Sequence, residues 1–335
     1  MGGIVNHVKC LTDCLPPEVG RYVIGVDGDE PFAGKNGHDW REWFQIRRVI
    51  RTFKPDVVHF HTPVFFMALY VRIVRLFGLF DCSIVCSWHL PAHRRMGWAY
   101  RVFFWLLGKD CYYLPVSTPT WEGLKRWLPY AKGEVFYNPI RIGNRERGTG
   151  NGEQGTGIGK ANNQTIKQSN SFIVGMVGRN APVKDWPAFH RVEKKVKEKG
   201  EGEQWNVQFL NAGEKAVCDG CAAIRKMDLF MMTSKSEEMP TVVLECFLEG
   251  TPICGFLPEG GTSDILQYSK GPVKEAFITE RNCEMLADVV MDLLAHPEKR
   301  QAMVEDGRQI LKEHFDAEKN VRGQLMRIYI ERSKD

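Results

Sequence analysis

Apolar positions along the 335-residue chain fall into two rhythms. Short apolar runs of strand length recur at YVIGV (22–26), VVHFH (57–61), CSIVCSWH (82–89), YYLPVS (112–117), EVFYNPI (134–140), SFIVGMV (171–177), WNVQFLNAG (205–213), LFMM (229–232) and PICGFL (252–257). Between them lie stretches with helical spacing. REWFQIRRVIRTF (41–53) turns Trp43, Ile46, Ile50 and Phe53 to one side, and residues 64–80, 94–109, 282–295, about 297–313 and 317–332 also read as helices. At the start Ile4, Val8, Leu11 and Leu15 share one helical face. Strands alternating with helices predict an α/β protein, and the length accommodates two doubly wound domains, each with its own core.

One stretch, Asp228 to Ile265, carries more than a fold pattern. An apolar strand ends at Thr233-Ser234, a loop follows, Pro240 opens a helix with Val243, Leu244, Phe247 and Leu248 inward, and Gly250 stops it. A second apolar run then meets Gly260-Gly261. Glu237 and Glu245 bracket the loop and helix with seven residues between them. In an α/β sheet that puts both carboxylates at the carboxyl ends of strands, where ligands bind. Read alone, two solvated helix carboxylates explain the pair as well.

Charge and cysteine content narrow the setting. Residues 1–150 hold 20 Lys+Arg against 13 Asp+Glu, so the net +4 of the whole chain is concentrated in its first half. Such a half suits an anionic partner, a phospholipid surface or a diphosphate-bearing acceptor, although a merely solvated surface accounts for it too. Ten cysteines without a signal peptide argue for a reducing, cytoplasmic compartment. Cys218-x2-Cys221 lacks the second pair or nearby histidines that zinc requires, so no metal site is expected there. Residues 141–170 are rich in Gly and Asn and nearly free of apolar side chains, which predicts a flexible linker. The sequon at Asn163 inside it carries little weight without secretion.

Two helical stretches of the first half are aromatic and basic. Arg72 and Arg75 interrupt residues 64–80, which excludes a membrane span. Residues 94–109 carry Trp98, Phe103, Phe104 and Trp105 with Arg94, Arg95 and Arg101. Two readings stay open: a helix lying peripherally in a membrane interface, and a buried helix whose arginines snorkel.

The pattern Glu237-x7-Glu245, Gly250-Thr251-Pro252 and Gly260-Gly261-Thr262-Ser263-Asp264 resembles the donor-sugar site of retaining family 4 glycosyltransferases of GT-B fold. KPDVVHFHTP with His61, CSIVCSWH with His89, Ser117, Asn138, the Gly178-Arg179 and Lys184 cations, and the ending HFDAEKNVRGQLMRIYIE are similar to the same family, so the resemblance runs nearly the whole chain. It implies two Rossmann-like domains facing across a cleft: 1–140 as acceptor domain, 141–170 as linker, 171–312 as nucleotide-sugar domain, and 313–335 as a helix crossing back to the first. It further implies a hexosyltransferase-type enzyme that moves a sugar from a nucleotide-diphosphate donor to a glycan or lipid-linked acceptor with retention, with no cofactor, no metal and no nucleic-acid partner. Arg179 and Lys184 hold the diphosphate, Glu245 the ribose and Glu237 the sugar hydroxyls. Gly178, Gly260, Gly261 and Thr262 complete the donor side, His89 orients the sugar or attacking group, and His61 with Gly2 and Gly3 faces the acceptor. Against the family pattern, two elements are expected to be missing: a first strand ahead of Gly2, which places the start of the pattern upstream of Met1, and one helix-strand unit between Gly213 and Asp228. Glu238 replaces a customary glycine. These departures keep a non-catalytic GT-B-like subunit open as the alternative, with a sugar-nucleotide epimerase third.

Overall fold

The computed structural model describes residues 3–25, 28–33, 39–90, 97–142, 171–213 and 220–333. The chain divides into two compact units, Met1–Pro139 with Ala317–Asp335, and Ile140–Asp316. Most of the expected linker, 143–170, lies outside the described residues, as do Gly2, Arg94, Arg95, Asn163 and Cys218.

In the first unit the elements are α1 (Gly3–Cys14), α2 (Arg41–Phe53), β1 (Val57–Phe60), α3 (Phe65–Leu76), β2 (Ser83–Trp88), α4 (Trp98–Leu107), β3 (Tyr112–Pro115), α5 (Thr118–Trp127) and β4 (Lys132–Gly133). The strands form a parallel sheet in the order β1-β2-β3-β4, with Phe60 opposite Cys86 and Trp88 opposite Pro115. Parallel pairing brings every carboxyl end to the same edge, so the residues just after β1 and β2, His61 and His89, become neighbours. Both sheet faces are covered. On one, Val71, Val74, Phe103, Phe104, Leu107 and Leu124 of α3, α4 and α5 pack with Ile84, Cys86 and Tyr113. On the other, Leu11 and Cys14 of α1 join Ala317, Val321, Leu325 and Ile328 of the C-terminal segment over Val85 and Leu114. Lys54 stops α2 with a left-handed φ of 49°, directly before Pro55, as the sequence break predicts.

Four expectations for this unit need correction. YVIGV is not a strand in its described part, because among the described residues only Ile24 makes a bridge, to Glu30. EVFYNPI runs extended, with Glu134 and Phe136 donating to the carbonyls of Tyr113 and Pro115, yet the regular strand is confined to Lys132–Gly133. Phe53 ends α2 37% exposed, its ring 6.0 Å from Tyr22 rather than in the core. The buried face of α1 is His7, Leu11 and Cys14, rotated from the one the apolar spacing predicts.

The second unit runs β5 (Ser171–Val177), α6 (Trp186–Gly202), β6 (Asn206–Ala212), α7 (Gly220–Ile224), β7 (Leu229–Met232), β8 (Ser236–Glu237), α8 (Thr241–Glu249), β9 (Ile253–Phe256), β10 (Glu259–Gly260), α9 (Thr262–Leu266), α10 (Pro272–Glu275), β11 (Phe277–Ile278), α11 (Cys283–Ala295) and α12 (Pro297–Ile310). Its main sheet is parallel in the order β11-β9-β7-β5-β6, and β8 pairs separately with β10. All four residues of β7 and of β9 are buried, which is what an uninterrupted apolar run in a covered parallel sheet means. Gly250 ends α8 in the left-handed conformation at φ 73°. A wide helical turn, Leu311–Phe315, precedes α13 (Ala317–Asn320), a second wide turn and α14 (Met326–Arg332), all three in the first unit.

Candidate active site

Chain order decides where the second unit can bind a ligand. Its first strand, β5, has β6 on one side and β7 on the other, so the winding direction reverses beside β5. Helices leave such a sheet in opposite directions at the reversal and open a crevice at the carboxyl ends of β5 and β7. Gly178-Arg179 leave β5 there, and Thr233 to Glu237 leave β7 there.

The two exit loops are bonded to each other. Thr233 Oγ1 donates to the Lys184 carbonyl at 3.0 Å, and the Lys235 amide donates to the Val183 carbonyl at 2.7 Å. Asp185 sits in the left-handed region at φ 51°, caps α6 and receives Arg281 Nη2 at 2.7 Å. Arg281 also donates to the carbonyls of Thr233 (2.8 Å) and Ser234 (3.0 Å), so one guanidinium ties α6 to the β7 exit. Neither Asp185 nor Arg281 stood out in the sequence.

Held by this frame, Lys184 lies across Gly178 and reaches Glu237, Nζ to Oε1 at 2.5 Å. Both side chains are largely shielded, 14% and 12% exposed, so solvent screens the pair little and removing either partner would leave a shielded charge without its counter-charge. Arg179 projects outward, exposed, while its carbonyl accepts Trp186 Nε1 at 3.2 Å. Gly260 lies opposite Glu237 in the β8–β10 ladder with φ +111°, and a Cβ there would stand 2.1 Å from the Glu237 carbonyl oxygen. Only glycine fits that approach. Gly261 precedes α9. Thr262 is fully buried, and its hydroxyl has no hydrogen-bond partner among the described residues. Glu245 is partly buried on α8. The structure therefore brings together Gly178, Lys184, Glu237 and Gly260, with Arg179 beside them.

The first unit holds a second cluster. His61 and His89 stand at the ends of β1 and β2 with ring centroids 6.2 Å apart, and His7, from α1, lies 5.4 Å from His61 and 4.9 Å from His89. The His59 ring lies 4.1 Å from that of His61, tilted 33° to it, with its ring nitrogens at 2.6 Å from Tyr329 Oη and 2.9 Å from Ser87 Oγ. Both nitrogens of His7, Nδ1 of His61 and Nε2 of His89 are buried without a hydrogen-bond partner among the described residues. Such groups cost about 1–3 kcal/mol each when left unpaired. Burial, reinforced by the charge of neighbouring rings, pushes His7 and His61 well below the ordinary imidazole range and His59 down to about 3; burial alone brings His89 to about 4. All four rings are neutral at physiological pH. His7 and His59 were missed in the sequence. The available signal was the His59-x-His61 alternation, which puts two imidazoles on one face of a strand.

Residues 3–142 match the family model "Glycosyltransferase Family 4", and residues 160–310 match "Glycosyl transferases group 1". Each half of the chain thus matches its own glycosyltransferase domain model. Among solved structures, the chain is similar to HepE of Anabaena in complex with UDP at 17% identity and TM-score 0.59, over 84% of this chain and 81% of that one. A glycosyltransferase from Rickettsia africae ESF-5 aligns at 12% identity and TM-score 0.61, over 93% and 84%. The UDP-forming α,α-trehalose-phosphate synthase of Burkholderia xenovorans, in complex with glucose-6-phosphate, aligns at 12% and 0.62, over 87% and 78%. At these identities the likeness is one of fold, GT-B. No curated protein matches the chain by sequence.

Proposed function

We propose that this glycosyltransferase moves a sugar from a nucleotide-diphosphate donor, with retention at the transferred carbon, to a glycan or lipid-linked acceptor. The observation that carries the donor half is the Lys184–Glu237 pair at the β5/β7 crevice, with Arg179 exposed beside it. An ammonium offers three donors, so Lys184 can hold Glu237 with one and meet diphosphate oxygens with the others. Arg179 adds a planar fork suited to phosphate. Together they offset the charge that grows on the departing diphosphate, which is where fixed cations accelerate transfer. Glu237, positioned by Lys184 and by the close approach of Gly260, takes the sugar hydroxyls near the reacting carbon, and Glu245 takes the ribose. On the acceptor side stand His61 and His89, whose neutral rings orient hydroxyls rather than attract anions.

UDP and UDP-glucose in the HepE structures make uridine-diphosphate sugars the first donors to test. A thermal-shift screen of UDP-, GDP- and ADP-sugars should show one class raising Tm, since ligand at 100 times its Kd adds about 2.7 kcal/mol of stability. Flat responses throughout would defeat the donor reading and leave a non-catalytic subunit.

We further propose that α4 and the end of α3 rest on an anionic membrane surface, which brings a lipid-linked acceptor within reach. Phe103, Phe104, Leu106 and Leu107 of α4 are buried, whereas Trp98 and Trp105 are 78% and 66% exposed. Leu76, Phe77 and Leu79 at the end of α3 are 65–73% exposed as well. The two helix ends are adjacent, because Arg75 pairs with Asp110 at 3.9 Å. A helix apolar on both faces, with tryptophans outward and Arg101 among them, has the composition of an interfacial element. No described helix is long and apolar enough to cross a membrane. Liposome binding is expected to rise with anionic lipid, fall with salt and drop at least several-fold in Trp98→Ala/Trp105→Ala. Binding that ignores lipid charge and both tryptophans would rule this surface out.

A further inference from the structure

The two edges of the second unit's main sheet are built differently. One is β11, two residues long; the other is β6, seven residues that pair with β5 without a bulge from Asn206 opposite Ser171 to Ala212 opposite Val177. Brevity blunts the first edge. The second carries none of the usual protections, since NVQFLNA holds no charged residue, no proline and no glycine. We propose that β6 is a self-association edge, on which β6 of a second copy of this chain lies antiparallel about a two-fold axis.

Backbone direction supports the pairing. The Ala212 carbonyl accepts the Gly178 amide, so Ala212 turns towards β5, and alternation turns Leu210, Gln208 and Asn206 the same way. Val207 and Phe209 therefore aim their N–H and C=O groups out of the sheet, and among the described residues these four groups have no hydrogen-bond partner. Such a row is a ready template for another strand. The strand is held stiffly for that purpose, because Val207 is 6% exposed and the Phe209 ring lies 5.8 Å from that of Phe189 on α6.

Charge identifies the occupant. A two-fold pair brings the same patch of both copies together, so the patch must complement itself. The flank of α6 over this edge carries Glu193 and Lys197, paired at 2.7 Å, with Lys197 Nζ 5.6 Å from the centre of the Phe209 ring. The opposite flank is engaged with α11, where Lys199 meets Glu284 and Asp288. A two-fold axis beside Phe209 passes beside that Glu193–Lys197 pair, and antiparallel helices then set Lys197 of each copy against Glu193 of the other. Spacing agrees. As the crossover between β5 and β6, α6 lies half a strand spacing inside β6, and the axis lies half a spacing outside it, so the two α6 axes stand about 10 Å apart, a normal helix-packing distance. The inference uses this sheet edge alone and requires nothing of the glycosyl-transfer reading.

The test uses the full chain without an affinity tag. Sedimentation equilibrium of the parent from about 1 to 200 µM should find a monomer–dimer equilibrium with a dissociation constant of about 10 µM or tighter, and no larger species, because a two-fold pair closes. Gln208 is exposed and its side chain stands beside the axis on the sheet face away from α6. Gln208→Lys and Gln208→Glu each set two like charges across the axis while leaving the core of the unit alone. Either variant by itself should weaken the dimer about tenfold or more, and an equimolar mixture of the two should recover it as a heterodimer. Hydrogen exchange in the segment 205–212 should slow as the parent's concentration rises and stay fast in each single variant. A parent that is monomeric throughout the range overturns the proposal, and so does a dimer that both variants leave intact. Slow exchange of that segment in the monomer overturns it too, since another part of the same chain then occupies the edge.

Discussion

Arg179→Ala should lower transfer from a nucleotide-sugar donor by about two orders of magnitude while leaving Tm within a degree or two of the parent. Its side chain is exposed, and exposed cations away from special features change stability by only about 0.5 kcal/mol. A charge-assisted contact to a leaving diphosphate is worth about 2.7–4 kcal/mol of barrier, or 10²–10³ in rate. Lys184→Met should match it in rate but not in stability. The substitution strands the Glu237 carboxylate, 12% exposed, without its cation, at a cost of about 2–3 kcal/mol given the partial shielding. Adding Glu237→Gln should recover most of that stability, since a neutral pair needs no counter-charge, yet turnover should stay down. This combination separates structure from catalysis. Parental turnover in Arg179→Ala together with parental turnover in the Lys184→Met/Glu237→Gln variant would remove the diphosphate clamp altogether.

What the sequence made legible follows physical locality. α2 was bounded to the residue by its amphipathic spacing and the Lys54-Pro55 break, and β7, α8 and β9 by apolar runs with Gly250 as a left-handed stop. These signals sit within a few residues of what they determine. YVIGV shows the limit. Its β-branched residues have strand propensity, but a strand exists only where a neighbour accepts its ladder, and among the described residues the Ile24–Glu30 bridge is the only ladder contact of that run.

The candidate site divides the same way. Glu237, Lys184, Gly178 and Gly260 were legible because loop glycines and charged residues fall at fixed offsets from strand ends, and a parallel sheet converts offset into proximity. Arg281 was not, since its partners, Asp185, Thr233 and Ser234, lie 47 to 96 residues away in sequence. The histidine cluster combines three distant positions, and His7 was hidden further by the apolar-face reading of α1, which counts imidazole as polar. Once α1 is laid on the sheet, the face that turns inward is the one that meets His61 and His89.

The glycine opposite Glu237 offers the other large effect. Gly260→Ala should destabilise the second unit by about 3 kcal/mol or more and abolish transfer. Two independent penalties add. The φ of +111° is a conformation that L side chains rarely adopt, with a strain of about 1–3 kcal/mol. The new Cβ would also stand 2.1 Å from the Glu237 carbonyl oxygen, far inside contact distance, so the β8–β10 ladder must open. Opening it carries Glu237 away from Lys184, because the Gly261 amide donates to that same Glu237 carbonyl at 2.8 Å. For a unit of this size each kcal/mol moves Tm by about 2–4 °C, so the shift should be about 6–12 °C. Gly202→Ala is the control. It ends α6 with nothing within 4 Å of the new methyl, and a substitution of that kind is neutral or stabilising by about 0.4–1 kcal/mol. A Gly260→Ala protein that melts within a degree of the parent would mean that the Glu237 loop shifts freely. In that case the close approach at Gly260 is not what positions the carboxylate.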